Sequence, residues 1–283
     1  MASNPVFSRI DKQIKAGDYA GFDRRPAAPR TSGGAGIQDS LNSEQLQDLY
    51  NQPSAGPVQM GRVTLDDVVM KTLGLFAIVV LVGTVSWFTV AGTPGLSLPM
   101  MLAGMFGSLA IGLVIAFKKT ISVPLIVLYA VLEGVLVGSI SSVFEQAYPG
   151  VVTTAVLATT ATFAGMFLGW KVGLIRVTDR SRRIFGMAIM GYLLFSLANV
   201  VASFMGVGAG WGFGGKSSML GIGISVLGVG LASYSLAIDF DSVDRAVAAQ
   251  LPEKYSWLLA HGLIVTLVWL YLEILRLLAR LRQ

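Results

Sequence analysis

The sequence predicts an all-α membrane protein whose seven transmembrane helices pack into one bundle. Its composition is the first reason, because 54% of the 283 residues are hydrophobic and only 13% are charged, with a mean hydropathy of +0.68. The second reason is that the apolar residues fall into seven blocks, each long enough to cross about 30 Å of hydrocarbon at about 1.5 Å per residue. The third is that basic loops alternate with nearly uncharged loops between the blocks.

The chain begins with a polar segment. Residues 1–60 are rich in Gly, Pro, Ala, Ser, Asn and Gln, and they carry too little apolar surface to offset the cost of ordering. We therefore predict a disordered cytoplasmic tail over residues 1–63. The first helix should start directly after Thr64, because threonine is a good N-cap and the two acids at 66 and 67 would then lie in the first turn.

The seven apolar blocks follow the tail. They cover residues 72–93, 97–117, 122–144, 151–170, 184–206, 218–238 and 257–279. The loops after the second, fourth and sixth blocks carry nine lysines and arginines, whereas the opposite loops carry only Lys216. The positive-inside rule then places the N-terminus in the cytoplasm. Small residues are frequent inside the blocks, which favours closely packed helices.

The last block leaves two topologies open. It ends with Arg276, Arg280 and Arg282, which are unexpected at an external C-terminus. Either the helix spans the membrane and its arginines are held by acids and headgroups, or it re-enters and the C-terminus is cytoplasmic. We favour a span, because residues 260–272 are apolar apart from three positions.

Several classes of function find no support in the sequence. The run GWGFGGKS at 210–217 matches the phosphate-loop pattern, but it lies in a turn between two spans and not between a strand and a soluble helix, so we expect no nucleotide. No basic stripe with interleaved aromatic residues indicates a nucleic-acid partner. Cysteine is absent and His261 is the single histidine, so we expect no high-affinity metal site and no cofactor. Without a paired-histidine or GxSxG motif we do not expect an enzyme.

Four acids lie in or at the ends of the apolar blocks. A charge near the bilayer centre costs about 2.5–3.5 kcal/mol, so such residues mark candidate functional sites. Glu133, in the third block, is either a structural acid with a partner or a proton or cation site. Asp241 lies four residues before Arg245, a spacing that allows an ion pair at the water boundary. Asp239 points to another side of the same helix and is the better candidate for the interior.

The fourth acid, Glu273, shares a helix face with basic residues. Arg276 and Arg280 follow it at three and seven residues, so an intrahelical ion pair is one interpretation. The other is that Glu273 shares one proton with an acid of the neighbouring helix, because two like charges a few ångströms apart do not both ionise cheaply. An acid pair of this kind is a natural pH sensor.

The fifth block carries a polar stripe. Its members recur at offsets of four, three and four, which places them on one helix face; they are Tyr192, Ser196, Asn199 and Ser203. A polar stripe in lipid faces the interior of a bundle, where it either bonds neighbouring helices or lines a wet path. Asn199 is the member of most interest.

Three segments resemble a known family. The runs LYAVLEGVLVGSISSVFE, SLAIDFDSV and LVWLYLEILRLLARL, in this order within seven apolar blocks, are similar to the Bax inhibitor-1/YccA-like family over residues 64–283. The resemblance implies six helices around a central seventh, and acids on the sixth and seventh helices whose protonation opens or closes a calcium-permeable path. These acids correspond to Asp239 and Glu273. Glutamate replaces the usual aspartate at 273, and the connection between the two acids is longer than in the common bacterial pattern.

We therefore predict a pH-sensitive leak for cations, Ca²⁺ above all, in a bacterial plasma (inner) membrane. Asp239 and Glu273 would form the proton-sensitive latch and a transient Ca²⁺ site, Arg276 or Arg280 would tune it, and Glu133 would contribute to the path. Expected partners are the lipid bilayer and Ca²⁺ or H⁺. A regulator that binds a protease or another membrane complex through residues 1–63, or an ion-coupled transporter, remains open.

Overall fold

The computed structural model describes residues 61–207 and 219–282 of the chain. Within these ranges the fold consists of helices, seven of which are long and apolar enough to cross a membrane, so the predicted fold class is confirmed. A 3₁₀ turn at Pro94–Leu96 joins the first two helices. The helices are α1 (Leu65–Gly92), α2 (Ser97–Phe117), α3 (Val123–Ala147), α4 (Val151–Lys171), α5 (Asp179–Phe204), α6 (Met219–Ala248) and α7 (Tyr255–Leu281).

The first helix starts as predicted. Thr64 is its N-cap, and the side-chain oxygen accepts a hydrogen bond from the backbone N–H of Asp67 at 3.3 Å. Asp66 and Asp67 lie in the first turn, where negative charge offsets the positive end of the helix dipole.

The last residues of the predicted tail are ordered. The N–H of Val63 donates to the carbonyl of Leu251 at 2.9 Å, and the N–H of Glu253 donates to the carbonyl of Gly61 at 2.7 Å. Residues 61–63 therefore pair with the loop between α6 and α7, in contrast to the disordered tail predicted through residue 63. The remainder of that tail, and the run at 210–217, lie outside the described residues.

α7 is the central helix of the bundle. It is one uninterrupted helix of 27 residues, about 40 Å long, and it contacts α1, α3, α4 and α6. Most of its side chains are buried, as the family resemblance implies for the seventh helix. Its length fits a full span and not a re-entrant segment.

The two ends of the bundle are fixed by polar contacts. At the end that holds the starts of α1 and α7, which we call the proximal end, Lys71 lies 3.3 Å from Glu253. At the opposite, distal end, the Arg282 guanidinium donates to the carbonyl of Pro149 at 2.6 Å. The basic C-terminus of α7 is therefore held in part by the turn between α3 and α4.

Glycines bring α1 and α3 into backbone contact. A Cβ added to Gly138 would overlap the backbone of Gly83, and a Cβ added to Gly134 would lie 2.9 Å from the carbonyl oxygen of Val79. Small residues at a crossing permit this approach. The small residues that the sequence shows inside its blocks thus have a packing role at this crossing.

α5 packs on the bundle through one narrow face. Phe185, Ile189 and Tyr192 are buried at spacings of four and three, and they join Leu231 and Ile238 of α6 in a hydrophobic cluster that is separate from the main core. We call this set the α5 cluster. Most other apolar side chains of α5 are exposed on the outer surface of the bundle. α5 is therefore attached to α6 and α7 by a small contact area.

Candidate functional site

The start of α5 is fixed by a capping box. The N–H of Ser181 donates to Oγ1 of Thr178 at 3.1 Å, and the N–H of Thr178 donates to Oγ of Ser181 at 2.9 Å. These reciprocal bonds satisfy two backbone donors at the helix start. Further along α5, the polar stripe faces α6 and α7.

Glu273 is the centre of a polar cluster on α7. Its carboxylate is buried and accepts hydrogen bonds from the Tyr192 hydroxyl at 2.7 Å, from Nε1 of Trp269 at 3.2 Å and from Nη1 of Arg276 at 3.2 and 3.3 Å. The predicted ion pair between Glu273 and Arg276 is confirmed. The bond from Tyr192 adds a direct link between α5 and α7, which we call the distal clamp.

Gly228 of α6 makes room for the distal clamp. A Cβ at this position would lie 2.5 Å from the hydroxyl oxygen of Tyr192 and 2.7 Å from Oε2 of Glu273. Both distances are too short for a real Cβ, so only glycine lets the two polar groups meet against the α6 backbone. The cluster thus depends on all three helices.

A cavity of about 380 Å³ lies beside Glu273. We call it the distal cavity; its polar lining residues are Tyr192, Ser196, Asn199, Ser203, Ser225, Glu273, Arg276 and Arg280. The sequence left open whether the stripe of α5 bonds neighbouring helices or lines a wet path. Tyr192 bonds a neighbouring helix, and the other three members line the cavity.

Asp239 is fully buried in the middle of the bundle. Within the described residues neither carboxylate oxygen has a hydrogen-bond partner at normal geometry, and the polar neighbours of Asp239 are the Thr266 hydroxyl and the Arg182 guanidinium. A buried carboxylate without donors is costly in its charged form. Asp239 is therefore the acid whose burial most needs a functional or structural reason.

The two acids of the predicted latch lie at different depths. Thr266, the α7 neighbour of Asp239, precedes Glu273 by seven residues, about 10 Å along a helix. Gly228, the α6 neighbour of Glu273, precedes Asp239 by eleven residues, about 16 Å along a helix. With no hydrogen bond on either oxygen of Asp239, the structure holds no direct bond between the two carboxyls.

Asp241 forms a second clamp at the proximal end. It pairs with Arg245 one turn later, with Nε 2.9 Å from Oδ2, so the predicted ion pair is confirmed. It also pairs with Arg182 of α5, whose guanidinium lies 3.4 Å from Oγ of Ser242. This proximal clamp joins the start of α5 to the end of α6.

Glu133 belongs to a different group of residues. It is buried, and its polar neighbours are Ser108 of α2 and Tyr129 of α3. The Tyr129 ring makes an edge contact with His261 of α7 at a centroid distance of 4.5 Å. Because none of these residues lines the distal cavity, the structure does not bring Glu133 together with Glu273.

The family assignment agrees with this geometry. The chain matches the family described as Bax inhibitor 1 like over residues 4–283. It belongs to this family. The match covers the seven helices and most of the N-terminal segment, and thus extends beyond the range 64–283 in which the motifs lie. No curated protein matches the chain in sequence.

In this Bax inhibitor 1 like protein, three site residues were not predicted from the sequence. Arg182 lies ten residues before Tyr192, about 80° away around an ideal helix, and its position in a basic loop predicted only the topology. Trp269 lies one turn before Glu273, so the hydrogen bond from its indole N–H to Glu273 could have been predicted from the spacing alone. No sequence signal separates Gly228 from the other glycines of its helix.

Proposed function

We propose that the protein is a pH-sensitive cation leak and not an enzyme, with Ca²⁺ as the ion that the family resemblance favours. We place it in a bacterial plasma membrane with the proximal end toward the cytoplasm, because the basic loops lie at that end. The observation that carries the proposal is the distal clamp, in which Tyr192 bonds Glu273 at the wall of a polar cavity.

The proposed path runs along the contact between α5, α6 and α7. It starts in the distal cavity, passes the α5 cluster, reaches Asp239 and leaves beside the proximal clamp. The α5 cluster consists of apolar side chains apart from the Tyr192 hydroxyl, and a dry apolar constriction blocks ions until it is wetted. We therefore propose that the resting protein is closed at the α5 cluster.

Protonation of Glu273 is the proposed opening signal. The ionised carboxylate accepts bonds from Tyr192, Trp269 and Arg276, and bonds to a charged acceptor contribute about 1.5–3 kcal/mol each. A protonated carboxyl loses the charge and part of this acceptor capacity. In this proposal the clamp is strongest when Glu273 is ionised and weaker when the carboxyl carries a proton, which frees α5 to move and wets the α5 cluster.

The oxygens along the path suit a passing cation better than a bound one. Ca²⁺ prefers several oxygen ligands, and hydroxyls of Ser196 and Ser203, the Asn199 amide oxygen and two carboxylates lie along the path. The described residues contain no group of three acidic or histidine side chains placed to hold a metal. We therefore propose transient sites at Asp239 and Glu273.

The arginines of the cavity must move or be neutralised for a cation to enter. Arg276 is paired with Glu273, yet 45% of its side chain is exposed, so on release it has room to turn toward the headgroups. Arg280 lies one turn further toward the distal end. We assign them the tuning role predicted from the sequence.

Ca²⁺ entry into liposomes containing the full-length protein tests the proposal. For the wild type we expect entry to increase from about pH 8 to about pH 4, because glutamate carboxyls ordinarily take up a proton at about pH 4. Glu273→Gln imitates the protonated acid, so this variant should leak at both pH values. The double variant Asp239→Asn, Glu273→Gln should lose the pH response. Asp244→Asn, an exposed acid on the same helix as Asp239, is the matched control. Equal entry through the wild type and the double variant at both values would contradict the latch.

A regulator without transport activity is the second candidate. Among the described residues, the charged groups that line the distal cavity are the Glu273 carboxylate and the guanidinium groups of Arg276 and Arg280, and two arginines beside one acid oppose entry of a cation. Deletion of residues 1–60 separates the two candidates. Loss of the cellular phenotype with full Ca²⁺ flux favours a regulator that binds a protease or other membrane complex, whereas the leak predicts that phenotype follows flux.

A further inference from the structure

We propose that the proximal end of the bundle is a docking site for residues 39–50 of the chain itself, which we call the acidic segment. The site is a cavity of about 610 Å³ that is lined by α1, by the loop between α2 and α3, and by the starts of α3 and α7. We call it the proximal cavity; its charged and hydroxyl-bearing lining residues are Lys71, Lys118, Thr120, Ser122, Glu253 and Lys254. The docking is a contact within one chain and does not rest on ion passage.

The described lining of the proximal cavity has more basic than acidic side chains. The ammonium group of Lys71 already lies 2.8 Å from Asp67 and 3.3 Å from Glu253, which is the acid of this lining. Lys118 and Lys254 remain, and among the described residues neither of them forms an ion pair. Two ammonium groups beside one cavity attract a ligand with carboxylates.

Two helix starts add positive potential to the same cavity. α3 begins at Val123 after Ser122, and α7 begins at Tyr255 after Lys254. Neither Ser122 nor Lys254 caps its helix with a side-chain hydrogen bond. The start of a helix has a partial positive charge that stabilises negative groups within about one turn. The helix starts therefore reinforce the preference of the lysines for carboxylates.

The acidic segment has the matching charge and spacing. Residues 31–60 contain three acids, at positions 39, 44 and 48, and no lysine or arginine. Glu44 and Asp48 are four residues apart, a spacing that places both carboxylates on one face of a helix. The apolar residues at 46, 49 and 50 fall on the opposite face. The proximal cavity offers both kinds of surface, because Trp257 and Ile121 line it beside the lysines.

The described part of the chain starts at the wall of the proximal cavity. The carbonyl of Gly61 accepts a hydrogen bond from the N–H of Glu253 at 2.7 Å, and Glu253 lines the cavity. Asp48 precedes Gly61 by thirteen residues, which span up to about 40 Å when extended. The cavity is thus within reach of the acidic segment. Exposed ion pairs are individually weak, so the high effective concentration of a tethered segment favours it over a separate acidic peptide.

Disulfide crosslinking of the full-length protein tests the docking, because the chain has no cysteine of its own. The test pair is Gln47→Cys with Thr120→Cys, and Thr120 is an exposed residue of the cavity. The control pair is Ser54→Cys with Thr120→Cys. Position 54 is closer to Gly61 along the chain, so tethering without docking would crosslink it at least as fast as position 47. Under a mild oxidant we expect the disulfide from position 47 to form about threefold faster or more.

Charge exchange tests whether the lysines hold the acidic segment. Lys118→Gln with Lys254→Gln should slow the crosslink from position 47 to the rate of the control pair. Lys118→Glu with Lys254→Glu should slow it as well, and adding Glu44→Lys and Asp48→Lys should restore the fast rate, which a folding defect would not allow. Equal rates from positions 47 and 54, or a fast rate that survives the lysine substitutions, would overturn the proposal.

The same measurement in lipid nanodiscs separates the acidic segment from a lipid headgroup as the occupant. A fast crosslink in phosphatidylcholine and in phosphatidylglycerol discs alike supports docking of the segment. A fast rate that is lost in phosphatidylglycerol discs would show that the phosphate of an anionic lipid takes the cavity in its place, and would overturn the assignment to the acidic segment.

Discussion

The Tyr192 hydroxyl on α5 lies 2.7 Å from Oε1 of Glu273 on α7. The proximal clamp, through Arg182, is another polar contact between α5 and the bundle. Both clamps attach α5 to a carboxylate of another helix, Glu273 of α7 and Asp241 of α6, so we propose that loss of either contact frees the same helix. An acid response therefore needs no direct bond between Asp239 and Glu273.

Tyr192→Phe removes the distal clamp and keeps the ring. A hydrogen bond to a charged group contributes about 1.5–3 kcal/mol, so we expect Ca²⁺ leak near neutral pH and a smaller increase on acidification. Tyr271→Phe is a matched control, since its hydroxyl makes an equally short interhelical bond, 2.7 Å from Oγ of Ser141, away from the cavity. It should lower stability without opening the leak; a leak in both variants would point to general loosening.

Gly228→Ala should disturb the clamp through the backbone of α6. Its Cβ would lie 2.5 Å from the Tyr192 hydroxyl oxygen, so the two polar groups must separate at a cost of about 1–3 kcal/mol. Gly230→Ala is the control on the same helix, because nothing lies within 4 Å of a Cβ there. Thermal unfolding in detergent should show a lower midpoint for Gly228→Ala alone, and an equal loss in both variants would contradict this explanation.

Arg182→Gln should weaken the proximal clamp. Breaking a buried ion pair costs about 3–5 kcal/mol, but Asp241 keeps Arg245 at 2.9 Å, so we expect a smaller loss of about 1–3 kcal/mol. The control is Arg183→Gln, because Arg183 is exposed. Denaturant unfolding measures the difference, and the liposome assay should show an added leak near neutral pH only for Arg182→Gln.

Much of the fold could be predicted from the sequence because lipid imposes simple length and polarity rules. The seven predicted apolar blocks correspond to the seven helices, and α1 begins directly after its N-cap, Thr64. The helix ends were less predictable. α6 continues to Ala248, ten residues past the predicted block, because its last turns pack inside the bundle, with Phe240 against Phe163 and Trp170 of α4.

The site was predictable where it follows helix spacing. The Glu273 to Arg276 pair and the Asp241 to Arg245 pair are local, and the α5 stripe follows from its period. Contacts between helices were not predictable, because they depend on depth and rotation in the bundle. For that reason the bond from Tyr192 to Glu273 and the room provided by Gly228 emerge only from the structure.

The role of Glu133 in the ion path stays a prediction, and Glu133→Gln tests it. The amide has the same shape and keeps hydrogen bonding with Ser108 and Tyr129 possible, so stability should change little. Because Glu133 does not line the distal cavity, we expect the acid response of the leak to persist. Loss of that response in a variant with unchanged unfolding would place Glu133 in the path after all.

Ile189→Ser tests whether the α5 cluster is the closed point of the path. Ile189 is 8% exposed and packs with Phe185, Leu231 and Ile238, and a hydroxyl there lowers the cost of wetting the constriction. We expect a Ca²⁺ leak near neutral pH that no longer needs acid, while the Tyr192 to Glu273 bond is kept. Ile189→Leu conserves the volume, costs less than about 1.5 kcal/mol and should stay closed. If the Ile189→Ser protein stays closed near neutral pH and still opens in acid, the barrier lies elsewhere along α5.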